Sequence, residues 1–433
     1  MDNSYFSSFW KIKTFFKTIA NNIAFIPGVL GVAGFLLGVL AGLSEKWGIT
    51  PYLIEKAPFL IINNYETAAT LLSYLSAGII SIMVFSFSMV MLLLNQASSN
   101  FSPRVLPGLI SVRKHQYILG LYLGTLLYNT FVMVGIEPTK DQYQLPGFSI
   151  LIGIILTIIC LFFFIYFIDS ISKSIQVESI LDSIFNKASK RLQFIIDNQK
   201  DAVSFPDSEN WTSYSAKTFG YFRGLNREGL LDICEKENFK LELLKYQGFF
   251  VGAGMPLFKS SKPLSDDELN SVFDFILLNR STENVRENYV LGFKQIAEIG
   301  VRAMSPGVND PGTAVNTIDY LTELFALKLL EADCDFICKK EGDPCVKLRT
   351  FSFSDLLSQI MMSYRTYCKQ DMTCSQKLVM MMATLVANPN ATKIHKNAIK
   401  EELDRLMYDV EGHIKNTQDL DLLKQLANKV SFD

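Results

Sequence analysis

Charge is missing from four long stretches of this chain. No Asp, Glu, Lys or Arg falls within residues 23–43, 68–94, 117–136 or 148–168. Uncharged apolar runs of this length read as helices that cross a bilayer. Histidine is scarce too: His115, His395 and His413 are the only three, which argues against a histidine-rich metal site. The seven cysteines are odd in number and irregularly spaced, so they suggest no disulfide framework. A formal net charge of −2 argues against nucleic acid as the main partner. No low-complexity tract and no convincing repeat appears.

The 433 residues leave room for a membrane bundle plus a sizeable soluble domain. Hydrophobic residues make up 49% and charged residues 19%, too apolar for one soluble domain and too charged for a bundle alone. The expected fold is therefore a membrane α-helical bundle of four transmembrane helices, followed by an α+β, mostly helical cytosolic domain with a small β-module. Residues 1–22 form an N-terminal interfacial segment, or equally a basic flank of the first span. The transmembrane domain covers 23–169, a helical stalk 170–200, a β-rich module 211–260 and a mainly helical domain 261–433.

Basic residues set the orientation. Lys11, Lys13 and Lys17 precede span 1, Arg104, Arg113 and Lys114 lie between spans 2 and 3, and Lys173 follows span 4. All fit one side, so both termini are expected in the cytoplasm of an inner-membrane protein. Span 1 carries Gly34, Gly38 and Gly42, a ridge that admits a neighbouring helix closely. Four spans with such ridges make a thin bundle, so a homo-oligomer in contact with membrane lipid is expected.

Span 2 carries Tyr74, Ser81, Ser88 and Asn95, seven apart and so on one helical face. The stripe either bonds to neighbouring helices and to its own backbone or lines a wet path. Arg104, Arg113 and Lys114 form a basic cytoplasmic rim, either for lipid headgroups or as an anion-attracting vestibule.

Residues 302–314, RAMSPGVNDPGTA, read as a tight helix–loop–helix corner. Asp310 before Pro311 is an N-cap followed by a proline at the first helical position. Arg302, Ser305, Asn309, Asp310 and Thr313 are its candidate contacts, to its own domain or to a ligand, ion or second subunit. The segment GFFVGAGMPL (248–257) reads as strand, glycine turn and strand. Its spacing is similar to barrel-sandwich hybrid modules, without the turn lysine that a prosthetic group needs. Cys334, Cys338 and Cys345 match no common zinc spacing. No metal site, cofactor or catalytic residue is assigned.

Several separated motifs together resemble one family, the bacterial membrane proteins grouped as domain of unknown function 2254. They are FSFSMVMLLLNQASSNFSPRVL (85–106), YILGLYLGTLLYN (117–129), FIDSISKSIQVESIL (167–181), GYF (220–222), GFFVGAGMPL (248–257) and RAMSPGVNDPGTA (302–314). The resemblance implies four transmembrane helices and a C-terminal soluble domain, and supplies no activity. Phe249 and Asn288 stand where it leads one to expect acidic residues. The expected function is a channel- or transport-type protein with span 2 lining the path and the soluble domain gating or assembling it. The alternative is a non-conducting sensor or scaffold that binds a ligand or partner through the soluble domain.

Overall fold

The structure, a computed structural model, describes residues 24–45, 47–62, 64–100, 113–136, 146–174, 176–199, 205–279, 285, 288–332, 334–338 and 343–432. At 97–100, 113, 174, 334 and 335 it describes the backbone alone. The expected interfacial segment 1–22 and Arg104 lie outside the described residues, as does the Arg113 side chain. The chain divides into two units, 1–176 and 177–433.

The first unit holds four helices long and apolar enough to cross a membrane. They are α1 (Phe25–Glu45), α3 (Tyr65–Asn100), α4 (Arg113–Val134) and α5 (Gly147–Ser174), with the short α2 (Ile49–Lys56) between the first two. α3 has 36 residues, about 54 Å at about 1.5 Å per residue, so it outruns a hydrocarbon core of about 30 Å. α4 is the central helix and packs on α1, α3 and α5. α1 presses its glycine ridge against α4. A methyl group on Gly34 would stand 2.1 Å from the Gly124 carbonyl oxygen, and one on Gly38 would stand 3.2 Å from the Phe131 ring. Phe35 and Phe131 then meet edge to face at 5.2 Å. The ridge read from the sequence thus packs against a helix of its own chain.

The second unit begins with α6 (Val177–Asn198). Here the expected stalk is corrected. The apolar face Ile180, Leu181, Ile184, Ala188 and Leu192 is buried, because α6 packs on α9 (Val290–Ala303) and α10 (Pro311–Lys328). A free stalk would leave that face wet.

Two small sheets follow. Their strands are β1 (Thr212–Ser215), β2 (Gly220–Leu225), β3 (Leu241–Leu243), β4 (Phe250–Val251), β5 (Pro256–Ser260), β6 (Ile276–Asn279), β7 (Cys334–Cys338) and β8 (Pro344–Arg349). One sheet has the order β1-β5-β3-β8-β7 and the other β4-β2-β6. Three strands therefore come from outside 211–260, and the β-module does not close within those residues. The segment 248–257 is not a hairpin either. β4 pairs with β2 in one sheet, while β5 pairs with β1 and β3 in the other. Gly254, at φ 82 between the two strands, makes a backbone bend that lets them part, and Gly248, at φ 92, makes the turn that leads into β4. α7 (Arg227–Lys236) and α8 (Asp266–Phe275) join these strands. The capping box at Ser265 and Glu268 opens α8 as read, but the chain turns extended at Ile276 and pairs with β2.

The rest is helical: α11 (Phe353–Cys368), α12 (Met372–Val386), α13 (Lys393–Glu411) and α14 (Thr417–Asn428). Phe293, Phe325 and Phe353 stack edge to face at 4.8 and 5.7 Å through its core. Lys328 is fully buried and pairs at 2.6 Å with Glu331, which also accepts the Tyr289 hydroxyl. The family-divergent residues have local work. Asn288 accepts from Val290 N–H and donates to the Gln247 carbonyl. Phe249 packs on Phe351 under the Lys294 ammonium.

Candidate functional site

The hydroxyl stripe of α3 faces outward from its own bundle. Tyr74 is 74% exposed, and Ser81, Ser88 and Asn95 are exposed. Ser81 donates to the Ala77 carbonyl and Ser88 to the Val84 carbonyl, both at 2.9 Å. A serine bonded to its own helix in this way needs no other partner. The stripe makes no contact role inside this chain's bundle, and its neighbours Val84, Phe87 and Met91 are exposed and apolar.

The bundle interior is where polar groups gather. α4 carries His115, Tyr122 and Asn129, seven apart, and all three are buried. Fourteen residues cover about 21 Å at about 1.5 Å per residue. Around them the other helices supply polar side chains level by level. His115 Nε2 lies 3.4 Å from Ser170 Oγ on α5. The Tyr122 hydroxyl lies beside Ser86 of α3, close enough for the two to interact, and neither oxygen has any other protein partner. Cys160 Sγ donates to Thr125 Oγ1 at 3.3 Å. Asn129 Nδ2 reaches Thr157 Oγ1 at 3.4 Å, and Thr157 donates to the Gly153 carbonyl at 2.8 Å. Asn129 Oδ1 has no partner.

Gly153 makes this level fit. A methyl group there would stand 2.6 Å from Asn129 Oδ1 and 3.6 Å from the Tyr128 ring. Tyr128 carries the file onward by donating to the Ser149 carbonyl at 2.8 Å. Ser149 donates from both N–H and Oγ to Glu45 Oε1, at 2.9 and 3.0 Å. The other Glu45 oxygen accepts from Thr50 Oγ1 at 2.5 Å, and Thr50 Oγ1 in turn accepts from Phe148 N–H. A carboxylate at the first turn of α5 suits the positive end of that helix. The file therefore runs from Glu45 at one end of the bundle to His115 at the other.

The 302–314 corner lies in the second unit and is a surface feature. Asn309 takes a left-handed φ of 49, which Asn tolerates better than most residues. The Asp310 N–H then reaches back to the Ala303 carbonyl at 2.8 Å. Asp310 caps α10 through Thr313 N–H and the Thr313 hydroxyl, at 3.1 and 2.6 Å. Those hydrogen bonds hold its carboxyl below the usual carboxylate range. They also occupy the helix terminus that an anion would otherwise take. Arg302, Ser305 and Thr313 are half-buried, Asn309 and Asp310 are exposed, and Val308 at the tip is 52% exposed. The structure brings these five residues together in one corner of the second unit. Lys114 is exposed at the first turn of α4. Among the described residues no group of three or more His, Cys, Asp or Glu converges as a metal site would require.

The interior file was missed in the sequence. Its signal was the seven-residue spacing of His115, Tyr122 and Asn129, the same signal that marked the α3 stripe. Spacing alone does not say which face of which helix turns inward.

A family model described as "Predicted membrane protein (DUF2254)" matches residues 20–384. The chain belongs to this family. Uncharacterized proteins of Mycobacterium bovis and of two strains of Mycobacterium tuberculosis are each 24% identical over 272 residues, 59% of this chain and 51% of the relative. The chain thus spans about half the length of the curated relatives it matches. No solved structure matches. As a member of the DUF2254 family the chain is a predicted membrane protein, and the match to 20–384 covers both the apolar helices and most of the second unit.

Proposed function

We propose that this chain is a transport-type membrane protein whose path follows the polar interior of the bundle. The observation that carries the reading is a set of buried polar atoms short of partners: Asn129 Oδ1 has none, and Ser86 Oγ and Tyr122 OH have at most each other. Polar groups that only glue helices together end up paired, as Tyr128 and Ser149 are. An unpaired buried group costs about 1–3 kcal/mol. Such under-satisfied groups along one file favour water between the helices.

The path is accordingly moved from the α3 stripe to the α4 file. In this reading the stripe faces lipid or a second copy of the chain, and the basic residues Lys114 and Lys173 mark the cytoplasmic side of an inner membrane. Both termini are then cytoplasmic, and the second unit gates or assembles the bundle. Homo-oligomerisation now rests on the outward apolar face of α3, since the α1 ridge is engaged by α4.

Purified full-length chain in proteoliposomes should relax imposed gradients of H⁺, K⁺, Na⁺ or Cl⁻ faster than empty vesicles. Asn129→Leu should remove that excess. An absence of excess flux for all four ions sinks the reading. A sensor or scaffold role then becomes the better account, supported by the exposed Val308 and Asn309 tip of the corner.

A further inference from the structure

Glu45 and His115 give the polar file an ionisable group at each end, and its middle contains only hydroxyl, amide and thiol groups. A metal ion or halide stripped of water needs several ligands at each stop. Each level here offers one or two polar atoms: Ser86 with Tyr122, Thr125 with Cys160, Asn129 with Thr157. A bare charge would also have no fixed counter-charge between the ends, which is costly inside a membrane. A proton carries the same unit charge but avoids the demand for several ligands at each stop. It moves by exchange along hydrogen bonds and needs single waters between the levels of Tyr122, Thr125 and Asn129, about one helical turn apart, and a short chain of waters over the two turns, about 10 Å, from Tyr122 to His115.

Resting on the transport reading above, we infer that the species carried is the proton, exchanged with solvent at Glu45 and His115 and relayed through the hydroxyls of Tyr128, Thr157, Thr125, Tyr122 and Ser86 with intervening waters. At each step one O–H bond forms as the next one breaks. Every hydroxyl and water is restored after reorientation, nothing is oxidised or reduced, and the net change is one proton delivered across the bundle. Glu45 is held by Ser149, by Thr50 and by the first turn of α5. His115 is held by Ser170 and by the edge of the Phe167 ring, with Lys114 beside it. Both anchors keep the exchanging groups at the ends of the file.

The test uses full-length protein in vesicles loaded with a pH-sensitive dye, with the membrane potential clamped by K⁺ and valinomycin. Wild type should collapse a pH gradient faster than empty vesicles, and more slowly in heavy water. Glu45→Gln, and the near-isosteric pair Tyr122→Phe with Thr125→Val, should each lower the proton flux by about ten-fold, the factor that one lost hydrogen bond confers on a rate. Thermal melting in detergent checks that the variants fold, and the heavy-water slowing of wild type holds as evidence without them. Flux of K⁺, Na⁺ or Cl⁻ with no excess proton flux overturns this inference and leaves the transport reading standing. Proton flux that ignores heavy water and the Glu45→Gln change overturns it as well. No flux of any ion overturns both.

Discussion

The first unit carries two polar faces with the same seven-residue spacing, and they have opposite fates. On α3, Tyr74, Ser81, Ser88 and Asn95 turn away from the bundle. On α4, His115, Tyr122 and Asn129 turn into it. Ser81 and Ser88 of α3 satisfy themselves on their own helix and need no partner outside it. Asn129 reaches across to Thr157 on α5 instead of to its own helix, and its Oδ1 has no partner; the Tyr122 hydroxyl extends to Ser86 of α3. Spacing identifies a face, and the capacity of each side chain for self-satisfaction decides what that face needs.

The largest effect is expected where the comparison depends on α4 being central. Gly34→Leu places a side chain against the Gly124 carbonyl. It should push α1 off α4 and destabilise the bundle by about 3 kcal/mol, the upper end for overpacking. Thermal unfolding in detergent reads this out, and a wild-type melting curve means that α1 and α4 do not meet as described. Gly42→Leu, where the ridge has only the Phe131 ring at 3.9 Å, should have a clearly smaller effect.

A smaller effect sharpens the contrast between satisfied and unsatisfied polar groups. Asp310 in the second unit is the satisfied kind, bonded twice to Thr313. Asp310→Ala should cost about 1 kcal/mol as a lost N-cap, and Asp310→Asn only a fraction of that. The folded carboxyl titrates below its unfolded value. Its contribution is thus complete above the unfolded pKa of about 3.9 and fades as pH falls through the folded value. Chemical denaturation at pH 7 and pH 3 should therefore show a gap between wild type and Asp310→Asn that narrows in acid. A gap that widens in acid contradicts the assignment.

Much of this architecture was readable beforehand. The four apolar helices, the capping box at Ser265, the Asp310–Pro311 helix start and the glycine ridge of α1 all rest on local chemistry, and each appears as read. What could not be read depends on tertiary pairing. Phe250–Val251 and Pro256–Ser260 look like one hairpin until β4 pairs with β2 and β5 with β1. α6 looks like a stalk until α9 and α10 cover its apolar side. For the candidate site the loss is sharper. Glu45 looks like an ordinary loop carboxylate until Ser149, more than a hundred residues later, donates to it. Tyr122 looks like one more aromatic in an apolar run until its hydroxyl is buried beside Ser86.

The central claim is that the working polar face is the one inside the bundle. The most direct measurement compares proton flux in vesicles carrying equal amounts of two double variants. Ser81→Ala with Ser88→Ala removes the two hydroxyls at the middle of the outward stripe and should leave the flux within about two-fold of wild type, since each serine bonds only to its own helix. Tyr122→Phe with Thr125→Val removes the inward hydroxyls and should lower it about ten-fold. The reverse ranking, with the outward pair abolishing flux and the inward pair sparing it, contradicts the account.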